Sequence, residues 1–173
     1  IMKKFTEKFQ IGIGVERLLF LTMVFFILQH VAACLRRMLD ARCTIRTPAA
    51  SEFLCHYEDD QMFRLEPDIF IELGRGAWLL DAKWKLLDEA DRQHKFGLSQ
   101  ADFYQLYAYG QKYLDGRGDM ALIYPRSARF TRAMPPFHFS PELRLHVLPF
   151  DLDADVLMGE TVLALPRRGR LAA

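Results

Sequence analysis

Cysteine is scarce in this chain: three in 173 residues, at Cys34, Cys43 and Cys55. No Cys-x-x-Cys pair occurs, and an odd count without ligand spacing excludes a disulfide framework and a thiolate zinc site. The expectation is buried thiols in a reducing cytoplasm. Net charge is scarce as well, since 23 Lys+Arg against 22 Asp+Glu leave +1. A uniformly basic coat for nucleic acid is therefore excluded, and any such contact must come from local clusters. Ten glycines and eight prolines without a period exclude collagen-like and low-complexity chains. A 51% hydrophobic content excludes disorder. There is no Gly-x-x-x-x-Gly-Lys-(Ser/Thr) loop to hold a nucleotide, no internal repeat and no linker that would divide a single domain. The histidines His30, His56, His94, His138 and His146 lack ligand spacing, which leaves zinc poorly supported.

One long apolar run is present. Lys3, Lys4 and Lys8 precede Ile11 to Leu35, densest from Leu18 to Leu28. The dense part is shorter than the roughly 20 residues of a membrane span. Its extension to Leu35 takes in Thr22, Gln29 and His30. The pattern continues through Met38 with a basic end at Arg36 and Arg37, which predicts one helix. A helix apolar on all sides is buried either in a core or in lipid. A core helix in a cytoplasmic protein is the expectation, with an inner-membrane anchor through residues 18–35 as the alternative. No small-residue cleavage site stands out, so export is not expected.

Beyond Pro48, Phe53 to Tyr57 reads as a strand and Glu58-Asp59-Asp60-Gln61 as a polar turn. Asp68 to Leu73 alternates strictly, and Ala77 to Lys85 follows across Gly74-Arg75-Gly76, which predicts a hairpin. A charged connection, Asp88 to Gly97, leads to Ser99, a candidate N-cap with Asp102 three residues on. The helix runs to Tyr113 and is stopped by Gly116 and Gly118. Strands are expected at Met120–Tyr124 and Leu143–Leu148. This order of elements is α/β.

Chemistry concentrates on the hairpin. A two-residue turn at Gly74-Arg75 sets Asp68 opposite Asp81, whereas a four-residue loop sets Asp68 opposite Lys83. In either register Asp68, Asp81 and Lys83 share a face, because side chains alternate with period two. Ile69, Ile71, Leu73, Trp78, Leu80 and Trp84 form an apolar wall on the other. Facing carboxylates repel, and a divalent cation resolves the repulsion. Mg²⁺ suits such a place, since it takes carboxylate oxygens and keeps several waters. An acid pair, a metal and a lysine fit attack of water on a phosphodiester. A solvent-facing ion pair on a hairpin would give the same triplet.

Pro67-Asp68 followed by Asp81-Ala82-Lys83 resembles the PD-(D/E)xK nuclease signature. Gln105-Leu-Tyr-Ala-Tyr109 resembles the Gln-x-x-x-Tyr element found after that core. More narrowly, Asp81 to Leu87, Asp102 to Lys112 and Leu122-Ile-Tyr-Pro125 resemble the McrC family, nuclease subunits of McrBC 5-methylcytosine-dependent restriction systems, over about Val31 to Leu165. The resemblance implies a restriction-endonuclease-like core, a mixed central sheet flanked by helices, spanning residues 31–165. Residues 1–30 form a divergent apolar segment and 166–173 a tail. It further implies Mg²⁺ at Asp68 and Asp81, assistance from Lys83, and support from Gln105 and Tyr109. DNA and an McrB-type AAA+ GTPase are the implied partners, with GTP handled by the latter.

Two departures accompany the resemblance. Family members carry a Glu on the first helix, and here Leu28 takes that place, which would weaken cleavage. Family members are also longer, with an N-terminal region that engages the motor and that residues 1–27 do not resemble, so a truncated chain is expected. A catalytically impaired subunit that only docks or binds DNA is thus an alternative. Lys85, Arg92, Lys95, Arg126, Arg129 and Arg132 are candidates for phosphate contact, or else solvated loop charges. Arg167, Arg168 and Arg170 read as a frayed end.

Overall fold

A computed structural model describes residues 13–47, 49, 51–159 and 165. Lys3, Lys4, Lys8, Pro48 and the 166–173 tail lie outside the described residues. Helix α1 spans Ile13–Met38, and α2 spans Gln100–Tyr113. Among the described residues nine strands follow chain order: β1 Thr44–Arg46, β2 Glu52–Tyr57, β3 Asp60–Leu65, β4 Ile69–Leu73, β5 Gly76–Ala82, β6 Gly118–Pro125, β7 Phe137–His138, β8 Leu143–Asp151 and β9 Val156–Leu157. The seven-stranded mixed sheet runs β1-β4-β5-β6-β8-β7, with β9 also on β8, and β2–β3 form a separate hairpin. The fold is α/β, as the element order implies, with the mixed sheet flanked by helices that the family resemblance implies.

The central strands are buried on both faces, as parallel strands between helical layers must be. On one face Ile69, Ile71, Leu80, Ala121, Ile123, Leu148 and Phe150 pack against Ile27, Val31 and Leu35 of α1. On the other, Phe70, Leu79, Met120, Leu122, Leu145 and Val147 meet Leu106 and Tyr109 of α2. Trp78 and Trp84 pack at the first cluster as the hairpin alternation requires. Gly110 permits the close approach of α2, since a Cβ there would stand 2.8 Å from Leu143 Cδ2 and 3.0 Å from Met120 Sδ.

The β4–β5 hairpin closes through two residues. Leu73 pairs with Gly76, Ile71 with Trp78 and Ile69 with Leu80. A φ of +59° at Gly74 suits the first position of a type II′ turn, whose twist matches the strands. Of the two registers the sequence allows, this one sets Asp68 opposite Asp81. Strand β5 then pairs in parallel with β6, and β6 with β8.

Several expectations need correction. The polar turn is only Glu58-Asp59; Asp60 and Gln61 already belong to β3, whose mostly exposed residues lack the alternation that signals a strand. Strand β5 ends at Ala82 rather than Lys85, although the Lys83 N–H still donates to the Ile123 carbonyl at 2.8 Å. Ser99 holds the N-cap position of α2 without a side-chain cap bond. Only Cys34 of the three thiols is buried, and Cys55 is exposed on β2.

Helix α1 is one continuous helix through residue 30, but its two halves differ. Ile27, Val31 and Leu35 are fully buried, whereas Leu18, Leu21 and Phe25 are each more than half exposed. Residues Leu21–Met38 are long and apolar enough to cross a membrane, a test that a core helix also passes. His30 Nδ1 lies 3.1 Å from Asp155, and Arg37 bonds the same carboxylate, tying α1 to the turn before β9.

Candidate active site

The site lies at the carboxyl ends of β5 and β6, on the face covered by α2. Open α/β sheets bind ligands beyond those strand ends. Asp81, on β5 beside Leu122 of β6, is only 3% exposed. A solvent-facing ion pair is therefore not what this carboxylate makes. Its Oδ2 lies 2.7 Å from Lys83 Nζ and meets no other partner among the described residues. Asp68, just before β4, accepts a hydrogen bond from the Ala82 N–H at 2.8 Å. The bond ties the two strands together at the point where the acids meet.

Electrostatics follows from this crowding. Burial, and then the charge of Asp68, push the Asp81 carboxyl up to about 6. Burial also raises Asp68, against the opposing Ala82 N–H and the Lys83 charge. Burial works against the Lys83 ammonium, yet the neighbouring acids, Asp81 foremost, outweigh it and hold its pKa above the ordinary value. One cation thus serves an acid pair that strains against being charged.

A chain of side chains fixes that cation. Lys83 Nζ donates to Gln105 Oε1 at 3.2 Å, Gln105 Nε2 donates to the Tyr109 hydroxyl at 2.6 Å, and Tyr109 donates to the Glu66 carbonyl at 3.2 Å. Gln105 and Tyr109 lie one turn apart on α2 and so reach the same side. The relay runs from the Asp-x-Lys strand to the backbone two residues before Asp68. Burial, then the Asp81 charge, push the Tyr109 phenol up to about 12, so it stays a donor at neutral pH. Tyr113 makes a second anchor: its hydroxyl donates to the Leu65 carbonyl at 2.6 Å and accepts the Glu52 N–H at 3.0 Å.

Sequence reasoning missed two members of the cluster. Asp102 is not a capping residue in effect; its Oδ1 lies 4.0 Å from Lys83 Nζ, and its Oδ2 accepts a hydrogen bond from Tyr124 at 3.3 Å. The signal was its i,i+3 spacing to Gln105. Tyr124 lies two residues beyond Leu122, the parallel partner of Asp81, and so faces the same way. Leu28 packs at the α1 cluster, on the sheet face away from these groups. Among the described residues, no group of three His, Cys, Asp or Glu is placed to hold a metal ion.

The basic candidates divide. Arg126 pairs with Asp151 at 3.2 Å and Arg129 with Asp88 at 3.1 Å. Lys85, Arg92, Lys95 and Arg132 are exposed and form no ion pair with another described residue.

A family model for the McrBC 5-methylcytosine restriction system component matches residues 19–125. The chain belongs to that family. The matched span runs from α1 through β6 and contains every side chain of the site, whereas Arg126, Arg129 and Arg132 follow it. This McrBC component also shares its fold with a chain of a solved assembly from Thermococcus gammatolerans, described as a half-complex from a tetradecameric assembly of McrB AAA+ hexamers with bound McrC. The TM-score is 0.50 at 14% identity, over 75% of this chain and 27% of that one. The chain thus spans about a quarter of the length of the structure it resembles. A search of curated proteins gave no match.

Proposed function

We propose that this McrBC component is the McrC-type nuclease subunit: a cytoplasmic, Mg²⁺-dependent DNA endonuclease of the PD-(D/E)xK kind, driven by an AAA+ GTPase partner. The observation that carries this reading is the burial of Asp81 opposite Asp68, with the Lys83 ammonium 2.7 Å away and held by Gln105. Two carboxylates raised by burial, Asp81 further by the charge of Asp68, with a buried Asp81 oxygen that meets the Lys83 ammonium and no other described group, fit a divalent cation. The donors are oxygens, the class Mg²⁺ takes, and two protein carboxylates with waters suffice for it.

Asp68 and Asp81 would hold the metal. When bound, Mg²⁺ supplies Lewis-acid polarisation of the phosphoryl oxygens. Lys83 orients the attacking water and stabilises negative charge developing on the phosphate. Gln105 and Tyr109 keep the ammonium in one rotamer, so that no reorganisation is needed as the charge grows. Asp102 adds a second negative neighbour that keeps Lys83 protonated.

The test is cleavage of methylated DNA by the purified chain with its AAA+ partner, Mg²⁺ and GTP. Cleavage at or below that of an Asp81→Ala control would refute an active nuclease. The second reading, a docking or DNA-binding subunit without activity, is favoured by Leu28, which packs away from the site and brings no acid to it. DNA retention without cleavage in the same assay would establish it. Recovery of the chain solely in a membrane fraction would contradict the cytoplasmic assignment.

A further inference from the structure

Two contiguous cavities open beside the first turn of α2, between the loop after β5 and the loop after β6. One has a volume of about 560 Å³ and the other about 320 Å³, and both are lined by Arg92, Phe96 and Phe137. Arg132 borders the larger; Lys95 and Phe103 border the smaller. Phe103 packs edge-on against Phe137 with ring centroids 5.1 Å apart. The volumes lie in the range of small-ligand sites.

Phe96 is held there at a cost. Its φ is +61° and that of Lys95 is +55°, a left-handed conformation that bulky side chains avoid. Two backbone bonds fix it: the Phe96 N–H donates to the Asp91 carbonyl at 2.7 Å, and its carbonyl accepts from the Asp88 N–H at 3.1 Å. The opposite wall is tied to the same loop, since the Glu89 N–H donates to the Arg129 carbonyl at 2.9 Å. Aromatic rings thus line a cleft already formed, and its rim carries three cations, Arg92, Lys95 and Arg132, that have no ion-pair partner among the described residues. One carboxylate, Glu89, also lines the larger cavity and is held by the Thr131 N–H and hydroxyl, so the rim stays net positive. An apolar aromatic floor with a net basic rim matches a flat, π-faced group carrying a phosphate.

We infer that this double cavity receives one unpaired nucleotide of the DNA, its base stacked on Phe96 and Phe137 and its phosphate met by Arg92 and Arg132. The inference rests on the nuclease reading for its source of nucleotide, because the cleft adjoins the helix turn that carries Asp102. A free nucleotide has the same chemistry, and the experiment separates the two.

The full chain is titrated in EDTA with three labelled duplexes: fully paired, with one bulged thymidine, and with an abasic bulge of equal length. The expected result is about tenfold tighter binding of the bulged thymidine than of the abasic bulge, the size of one base–aromatic stack. Phe96→Leu, which keeps the apolar volume, abolishes that preference while its melting temperature stays that of the parent. Arg132→Gln weakens the two bulged duplexes alike, leaves the fully paired duplex unchanged and lowers the salt slope of the bulged ones by about one. Equal binding of base-bearing and abasic bulges, or binding of neither, overturns the inference. Displacement of the bulged duplex by millimolar thymidine monophosphate overturns the DNA source. A base preference without cleavage in the Mg²⁺ assay overturns the nuclease reading alone, and cleavage without base preference overturns this one alone.

Discussion

The Lys83 ammonium lies 2.7 Å from the Asp81 carboxylate, and both groups come from one strand end, two residues apart. A lysine so placed has two acids to choose from and a glutamine to keep it from choosing freely. Lys83→Met keeps the stem and removes the charge, so Asp81 faces Asp68 with no cation nearby. Cleavage should fall by at least about 100-fold, the usual consequence of deleting a donor aimed at developing charge. The Asp81 carboxyl should rise above its value of about 6. Single-turnover cleavage over a pH series measures both, and parental rates in the variant would remove Lys83 from the chemistry.

The raised acid also makes metal-free stability depend on pH. The Asp81 pKa moves from 3.8 for an ordinary aspartate to about 6 in the folded chain. Between those values the folded state binds more protons than the unfolded, so stability falls as pH rises through this window. Asp68 acts in the same direction, whereas the stability that the raised Lys83 adds is intact across this window and is lost only as pH rises above its ordinary 10.5. Urea midpoints in EDTA should therefore decline from pH 4 to pH 7, and the decline should flatten in Asp81→Asn. Added Mg²⁺ should stabilise the parent more at pH 7 than at pH 5. An unchanged slope in the asparagine variant would contradict the burial of a charged Asp81.

Much of this arrangement was legible in the residues. Strict alternation before Gly74 and the Gly-rich turn gave the hairpin, and period two put Asp81 and Lys83 on one face, with Asp68 beside them for a turn of two or four residues but not of three. The turn length stayed open because Gly74-Arg75-Gly76 suits either loop. Strand β3 was illegible for a physical reason: a hairpin that stands off the sheet exposes both faces, so Asp60-Gln61-Met62-Phe63 has no apolar side to advertise. Asp102 was read as a cap because local spacing favoured it, and only the tertiary approach of Lys83 turned it toward the site. The two registers of α1, buried at Ile27 and bare at Phe25, were equally invisible, since a uniformly apolar run does not say where its cover ends.

Tyr109 tests whether the relay positions Lys83 or merely packs. Tyr109→Phe keeps the ring against its neighbours but deletes the hydroxyl between Gln105 and the Glu66 carbonyl. The lost bonds should cost about 1 kcal/mol in urea denaturation, the usual net value of a hydrogen bond. Gln105→Leu should reproduce the loss of activity and leave Lys83 free to rotate. If the relay positions Lys83, both variants reduce the cleavage rate more than DNA affinity. Equal losses in rate and affinity would reduce Tyr109 to packing.

The two halves of α1 should respond in opposite ways to equally drastic changes. Leu35 is fully buried against the sheet, so Leu35→Ala removes apolar contacts and leaves a cavity, costing roughly 2–5 kcal/mol. Phe25 is 61% exposed, and Phe25→Gln on the isolated chain should change stability by no more than about 0.5 kcal/mol. Urea midpoints of the two variants settle the comparison. The same pair bears on localisation. A lipid anchor would depend on the bare half, so Phe25→Gln with Leu21→Gln would shift the protein out of the membrane fraction without touching its stability. A core helix predicts no change in fractionation, because Ile27, Val31 and Leu35 carry the attachment of α1 to the sheet. A large destabilisation by Phe25→Gln would mean that this half is covered in solution and that the division of the helix is wrong.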